Sequence, residues 1–302
     1  MSPVRGEVTD QLDQGYRTCA RITRQHGTTY YWGTILLPPE RRRHVYAVYA
    51  LCRLADDIVD APGATSPANV AATTERLHRF AEHFREVAAG APTSDPVIAA
   101  VGHSVRTCDI DNECFDRFFR AMAQDLTQST YETWDDLLHY MDGSAAVIGE
   151  MMLPVLRPRS PEALGPARAL GQAFQLTNFL RDIGEDLDRG RVYVPQEDLR
   201  RFGADPHART VTPEWRELMA FEIARNRALY VEADRGIPLL PGSSARCVSA
   251  ARTLYARILD RIEARDHDVF SGRVRVPTWH KAALSTRILV LGPPTTSKAV
   301  TL

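Results

Sequence analysis

LGQAFQLTNFLRDIGEDLDRGRVYVP, residues 170–195, is the stretch on which the fold turns. Phe174, Leu176, Phe179, Leu180 and Ile183 supply apolar packing at helical spacing. Gln175, Asn178, Asp182 and Asp186 follow one another at intervals of three, four and four residues. On a helix that interval puts four oxygen donors in a single stripe, with Arg181 and Glu185 beside it. Gly190 ends the helix, and Arg191-Val192-Tyr193-Val194-Pro195 reads as a loop or lid beyond it. Gln175 and Asn178 stand on the apolar part of the helix, where burying them without partners costs a few kcal/mol each. The stripe therefore predicts a polar-lined interior rather than a solvated face.

Working outward, a second acidic stripe lies upstream. Pro39–Asp60 reads PERRRHVYAVYALCRLADDIVD, with prolines at its start and the Ala61-Pro62-Gly63 break after its end. Tyr49, Arg53, Asp56 and Asp60 share one face, while Val45, Val48, Leu51, Leu54, Ile58 and Val59 make the other faces apolar. A helix apolar nearly all round is a buried one. Stacked carboxylates in a cavity need a cation or a proton. Taken alone, this motif also admits a solvated acidic helix end with Asp57 in water.

The two stripes together make one chemical proposal. Hard oxygen donors from two facing helices, with no His or Cys among them, suit Mg²⁺, with Mn²⁺ as the alternative ion. Arg53, Arg181 and Arg191 can grip diphosphate oxygens by charge-assisted hydrogen bonds. Such a site acts as Lewis acid and electrostatic clamp on a diphosphate leaving carbon. Neither a G-x-x-x-x-G-K-[ST] loop nor a G-x-G-x-x-G turn occurs in the chain, which disfavours a P-loop hydrolase or a Rossmann dehydrogenase.

The rest of the chain agrees with an all-α protein. Helical spacing recurs near residues 10–26, 39–59, 69–88, 95–107, 112–127, 134–156, 161–189, 213–235 and 245–265, and strand alternation is scarce. The 302 residues read as one all-α domain packed around a central cavity, with a flexible tail after about residue 292. A hydrophobic share of 44% and a charged share of 25% are those of an ordinary globular chain. With a formal charge of −1 there is no global field for gripping nucleic acid. Five scattered cysteines without a C-x-x-C pair argue against a disulfide framework or a zinc site and for reduced cytosolic thiols. The N-terminus carries no apolar signal core, and no apolar run approaches the roughly 20 residues a bilayer span needs. A cytoplasmic protein is expected, with peripheral contact at the inner membrane surface as a refinement. No residue pattern sets an oligomeric state.

Three separated segments resemble the squalene/phytoene synthase family of class I isoprenoid synthases. They are Tyr49–Asp60 (YALCRLADDIVD), Tyr140–Gly149 (YMDGSAAVIG) and Gln175–Asp186 running on to Arg191-Val192-Tyr193-Val194-Pro195. Weaker similarity reaches Tyr255–Leu259 and Val269–Pro277. The resemblance implies the class I isoprenoid synthase fold and a prenyltransferase that joins two prenyl diphosphates head to head through a cyclopropylcarbinyl diphosphate. The favoured version makes phytoene from two geranylgeranyl diphosphates and serves carotenoid synthesis. The alternatives are squalene, dehydrosqualene or hydroxysqualene synthesis from farnesyl diphosphate, with NADPH required only for squalene, and a class I terpene cyclase. A non-catalytic scaffold that kept the fold is the reading furthest from these.

Carried over by position, the resemblance assigns Asp56, Asp60, Asn178, Asp182 and Asp186 to the metal. It assigns Tyr49, Arg53, Gln175, Arg181, Arg191, Tyr193 and Arg273 to diphosphates or to closing the site, and Tyr140 and Tyr255 to the reacting carbons. Tyrosine faces there stabilise carbocation charge in a dry chamber. Members often carry a Lys in a His-Ser-Lys-type segment ahead of the first motif. Here His26-Gly27-Thr28-Thr29-Tyr30 has none, and the hydroxyls of Thr28 and Thr29 replace it in part. Asp142 and Glu150 add acid to a usually more neutral segment, either facing solvent or standing near the pocket as a base. The small residues from Gly143 to Gly149 suit close helix packing and room for a prenyl chain equally well.

Overall fold

Proline and short polar side chains set the helix limits. Proline takes the first position of the helix beginning at Pro39, where its missing N–H costs nothing. Asp95 accepts from the backbone N–H groups of Val97 and Ile98 at 2.8 and 3.1 Å, and Thr133 and Asp136 form a reciprocal capping box. The computed structural model describes residues 3–292, so the expected flexible tail after 292 lies outside the described residues. In chain order the helices are α1 (Pro3–His26), α2 (Thr28–Thr34), α3 (Pro39–Val59), α4 (Val70–Ala88), α5 (Pro96–Cys108), α6 (Asn112–Gln124) and α7 (Trp134–Met141). They continue with α8 (Val147–Leu156), α9 (Leu164–Asp188), α10 (Gln196–Phe202), α11 (Pro213–Asp234), α12 (Gly242–Glu263) and α13 (Thr278–Leu291). Among the described residues the only β pairing is an isolated parallel bridge between Thr130 and Val192. No helix among them is long and apolar enough to cross a membrane.

Three helices were not predicted from the periodicity. The two seven-residue ones, α2 and α10, are too short to show it. On α13, Trp279, Leu289, Val290 and Leu291 stay exposed, so no clean apolar stripe marks it. The single helix predicted over 134–156 is instead α7, a π-helical turn at Asp142–Ala146, and α8. The backbone there crowds α6: a Cβ on Gly143 would stand 2.9 Å from both the Arg117 carbonyl oxygen and the Ala121 methyl.

The 25-residue α9 is the axis on which α8, α11 and α12 pack. It meets α8 and the π turn backbone to backbone. A Cβ at Gly149 would lie 2.1 Å from the Ala167 carbonyl oxygen, and one at Gly171 would lie 2.2 Å from that of Ala145. Gly143 and Gly149 therefore serve close packing. On the far side, α3 packs with α1, α4 and α5. The ends of α3 and α9 meet at one pole, where Arg191, just past α9, reaches Asp60, just past α3.

Candidate active site

At that pole the two acidic stripes face each other. Asp56 comes from the last turn of α3 and Asp60 from the residue that caps it, and Asp182 and Asp186 come from the last two turns of α9. Arg191 Nη1 donates to Asp60 Oδ1 at 2.7 Å, and Arg189 Nη1 lies 4.0 Å from Asp60 and 3.6 Å from Asp186. One guanidinium thus stands between carboxylates of both helices. Asp182 accepts from Arg181 Nε at 2.7 Å and from Arg273 Nη2 at 2.8 Å, and Arg273 also lies 3.4 Å from Glu185.

These arginines do not neutralise the pole. Burial, reinforced by the neighbouring Asp60, pushes Asp56 up to about 8. Burial, reinforced by Asp182, pushes the buried Asp186 up to about 8 as well. Asn178 Oδ1 is buried with no hydrogen-bond partner. An acceptor without a donor beside carboxylates short of positive charge is the environment of a cation-binding site. Among the described residues, no three His, Cys, Asp or Glu side chains converge closely enough to hold an ion by themselves. The donor set therefore fits a hard ion that completes its shell with water and ligand oxygens, as Mg²⁺ does with phosphates.

The expected aromatic residues fall into two groups. Tyr255 packs its ring 4.2 Å from Phe174 and 5.1 Å from Tyr30, and Tyr30 lies 5.7 Å from Tyr49, all between centroids. This group adjoins the Arg181 side of the pole, since Arg181 and Arg273 both act on the Tyr255 hydroxyl. The second group stacks Tyr193 on Phe179 at 3.8 Å and Tyr140 between Tyr131 and Tyr193 at 5.1 and 6.0 Å. The Tyr140 hydroxyl donates to Asp125 Oδ2 at 2.6 Å, so it is committed to a carboxylate.

Asp125 was not picked out from the sequence. It is buried, accepts from Tyr140 and, at 3.4 Å, from Tyr193, and its backbone carbonyl accepts from Arg191 at 3.4 Å. Burial pushes it up to about 6, and Arg191 keeps it from going higher. A signal was there: Phe115, Phe118, Met122 and Asp125 follow one apolar stripe, and Asp125 stands at a helix C-terminus, where the dipole disfavours it. Arg189 was also missed, because beside Gly190 it reads as an ordinary helix end.

Other expected residues have different partners. Arg53 pairs with the exposed Asp57 on its own helix. Gln175 and Thr29 are half-buried. The Thr28 hydroxyl accepts from Lys281. The segment read as a lid is fastened down: Val192 N donates to Ser129 O at 2.8 Å, Gln196 N to Tyr131 O at 2.9 Å, and residues 192–194 are buried. Asp142 and Glu150 belong to a structural network. Arg117 bonds Asp142 at 2.5 Å and Glu150 at 3.0 Å, and Arg168 pairs with both, tying α6, the π turn, α8 and α9 together. A cleft of about 380 Å³ lined by Thr130, Val192, Gln196, Arg200 and His207 touches none of Asp56, Asp60, Asp182 and Asp186. Beneath the segment, Phe179, Asp186, Arg191 and Tyr193 leave a void of only about 10 Å³, so this end of the pole is tightly packed.

Comparison with known proteins identifies relatives of the chain. Residues 23–280 match the family model described as squalene/phytoene synthase. The phytoene synthase of Arthrospira platensis is 37% identical over 296 residues, covering 91% of this chain and 94% of that one. The 15-cis-phytoene synthase of Synechocystis is 37% identical over 285 residues, covering 89% and 83%. Among solved structures, a dehydrosqualene synthase in complex with ligand superposes with a TM-score of 0.84 at 26% identity, covering 94% of this chain and 98% of that one. The squalene synthase HpnC from Alicyclobacillus acidocaldarius does so with a TM-score of 0.75 at 32% identity, covering 88% and 97%.

Proposed function

The chain belongs to the squalene/phytoene synthase family and is a prenyltransferase, and from that premise we propose that it condenses two geranylgeranyl diphosphates head to head into phytoene. The first diphosphate and one proton leave as the cyclopropylcarbinyl diphosphate forms, and the second diphosphate and a second proton leave as it opens to phytoene. The named relatives that are phytoene synthases support the C20 substrate. The observation that carries the reading is the pole itself: Asp56 and Asp186 raised by burial, with the unpartnered Asn178 Oδ1 on the stripe between Gln175 and Asp182.

Asp56, Asp60, Asn178, Asp182 and Asp186 are the residues that would hold a divalent ion, Mg²⁺ by the hardness of its donors, with Mn²⁺ as the alternative. Bound there, such an ion polarises diphosphate oxygens as a Lewis acid. Arg181 and Arg273, both paired with Asp182, and Arg191, paired with Asp60, would donate guanidinium N–H groups to the same oxygens. Arg53, Tyr49 and Gln175 border that pole from α3 and α9. The packed rings of Tyr30, Phe174 and Tyr255 exclude water and offer π faces to the allylic cation, each worth about 1–2 kcal/mol when desolvated. Tyr140 and Tyr193 act through Asp125 and position the Arg191 segment. A hydrocarbon product partitions into a bilayer, so the enzyme works at a membrane surface, on the cytoplasmic side.

The test is an incubation of the protein with Mg²⁺ and geranylgeranyl or farnesyl diphosphate, with and without NADPH, followed by identification of the hydrocarbon. A C40 product with a central triene is expected, and a C30 product alone rejects the assignment. Asp56→Ala and Asp182→Ala are expected to abolish turnover while the circular dichroism stays helical. Near-normal turnover in either removes that aspartate from the site.

A further inference from the structure

The outer face of α13 has the wrong polarity for water. Its inner face is accounted for: Leu284 and Ile288 are buried, the Ser285 hydroxyl donates to the Trp32 carbonyl at 3.0 Å, and Lys281 Nζ donates to the Thr28 hydroxyl at 2.7 Å. A helix on a protein surface ordinarily turns polar side chains outward. Here the outward row, at helical intervals of four, three and four, is Trp279, Ala283, Thr286 and Val290, all of them exposed. Trp279 is 66% and Val290 73% accessible, and Leu289 and Leu291 stand exposed beside the end of the row. Large apolar side chains left together in water mark an interaction surface.

The charges around the row select what covers it. From Val269 to Leu302 the chain has no Asp or Glu, while Arg273, Arg275, Lys281, Arg287 and Lys298 are cationic. Arg273 and Lys281 are engaged by Asp182 and Thr28. Arg275 and Arg287 are exposed and, among the described residues, have no carboxylate partner. From α12, Arg261 joins the same border by donating to the Arg275 carbonyl at 3.2 Å, whereas the α12 carboxylates Asp260 and Glu263 are taken up by Arg227. An exposed Trp among apolar side chains, edged by arginines and free of acids, suits the headgroup boundary of an anionic bilayer. A second copy of the chain fits less well, because a two-fold contact through this face would press one cationic margin against another.

We propose that the outer face of α13, built on Trp279 and Val290 and edged by Arg275 and Arg287, is the surface by which this enzyme docks on an anionic phospholipid bilayer. The proposal deepens the reading of the product as a hydrocarbon that leaves into lipid, and it rests on that reading for its purpose. Arg273, just ahead of α13, binds Asp182 at the pole. Docking through α13 therefore holds the Arg181 and Arg273 side of the aromatic chamber towards the lipid.

The experiment is sedimentation of the full-length protein with vesicles of phosphatidylglycerol and phosphatidylcholine, and with vesicles of phosphatidylcholine alone. The proteins are the parent, Trp279→Ser/Val290→Ser, Arg275→Gln/Arg287→Gln and Trp279→Phe. Partitioning of the parent is expected to be at least about tenfold stronger on the anionic vesicles, and at least about tenfold weaker in Trp279→Ser/Val290→Ser than in the parent. Each arginine contributes about fivefold at low salt, so Arg275→Gln/Arg287→Gln is expected to lose about 20-fold, a difference that shrinks in about 0.5 M salt. Brominated acyl chains are expected to quench tryptophan fluorescence in the parent and much less in Trp279→Phe, which binds within about threefold of the parent. A parent that ignores anionic vesicles, Trp279→Ser/Val290→Ser binding within twofold of the parent, or undiminished quenching in Trp279→Phe overturns the proposal. A parent that is dimeric in buffer, with Trp279→Ser/Val290→Ser monomeric, overturns it in favour of a second copy on α13. A parent that docks through these residues yet makes no hydrocarbon from geranylgeranyl or farnesyl diphosphate sustains the docking surface and overturns the reading of the reaction.

Discussion

Gly171→Ala is the sharpest test of how the second acidic stripe is held. The added methyl would stand 2.2 Å from the Ala145 carbonyl oxygen, 2.9 Å from its carbon and 3.3 Å from the Ala146 Cα. All three neighbours are backbone, so no side chain can swing aside. Restoring ordinary contact moves α9 and the π turn apart by about 1 Å, and overpacking of this kind costs about 1–3 kcal/mol. The upper end applies where backbone meets backbone, while alanine in place of glycine returns about 1 kcal/mol of helix propensity. The net expectation is a loss of about 2 kcal/mol, or roughly 3 °C in midpoint for a chain of this size. Gly165→Ala is the control on the same helix, because nothing lies within 4 Å of its added methyl. Because it stands before Pro166, which disfavours a side chain in the helical region, it is expected to change stability by less than about 1 kcal/mol in either direction. Because α9 carries Asn178, Asp182 and Asp186, a displacement of about 1 Å is expected to lower turnover by up to about 100-fold in Gly171→Ala only. The assays are thermal and urea unfolding alongside product formation. A Gly171→Ala protein that unfolds at or above the midpoint of Gly165→Ala refutes the packing argument.

Other expectations follow from the charges. Asp56 and Asp186, raised to about 8, stay protonated in the folded, metal-free chain at neutral pH but ionise on unfolding. Their cost is absent below about pH 4, grows as pH climbs through the unfolded-state value and is complete above about pH 8, with Glu222, also raised to about 8, acting in the same sense. Unfolding midpoints in chelator are therefore expected to fall from pH 6 to pH 8.5, and less steeply in Asp56→Asn; a rising profile contradicts the burial of these groups. Arg191→Met removes the 2.7 Å partner of Asp60, whose side chain is 27% exposed. That partial exposure lowers the expected loss to about 2–3 kcal/mol, below that of a fully buried pair, and calorimetry showing an unchanged midpoint would count against it. Tyr140→Phe gives up the 2.6 Å bond to the Asp125 carboxylate and is expected to cost about 1.5–3 kcal/mol. A loss under about 0.5 kcal/mol in urea denaturation would show that water replaces the hydroxyl.

Much of the site was legible in the chain, because helical geometry turns sequence spacing into spatial alignment without help from the rest of the protein. Intervals of three and four along 175–186, with Asp56 and Asp60 four apart, already define two stripes of oxygen donors. Prolines likewise marked the limits of α3. What spacing does not encode is which stripe meets which partner. That Arg189 and Arg191 span Asp60 and Asp186, that Asp125 receives Tyr140, and that Lys281 comes 253 residues along the chain to Thr28 were decided by tertiary packing. The open choices were settled there too. Asp142 and Glu150 became counter-charges of Arg117 and Arg168, and Gly149 became a point of backbone contact. The sequence by itself determined helices, their polar faces and the chemistry those faces can perform, since these depend on neighbours within a turn or two. The tertiary structure alone decided charge balance and close approach, because both depend on groups far apart in the chain.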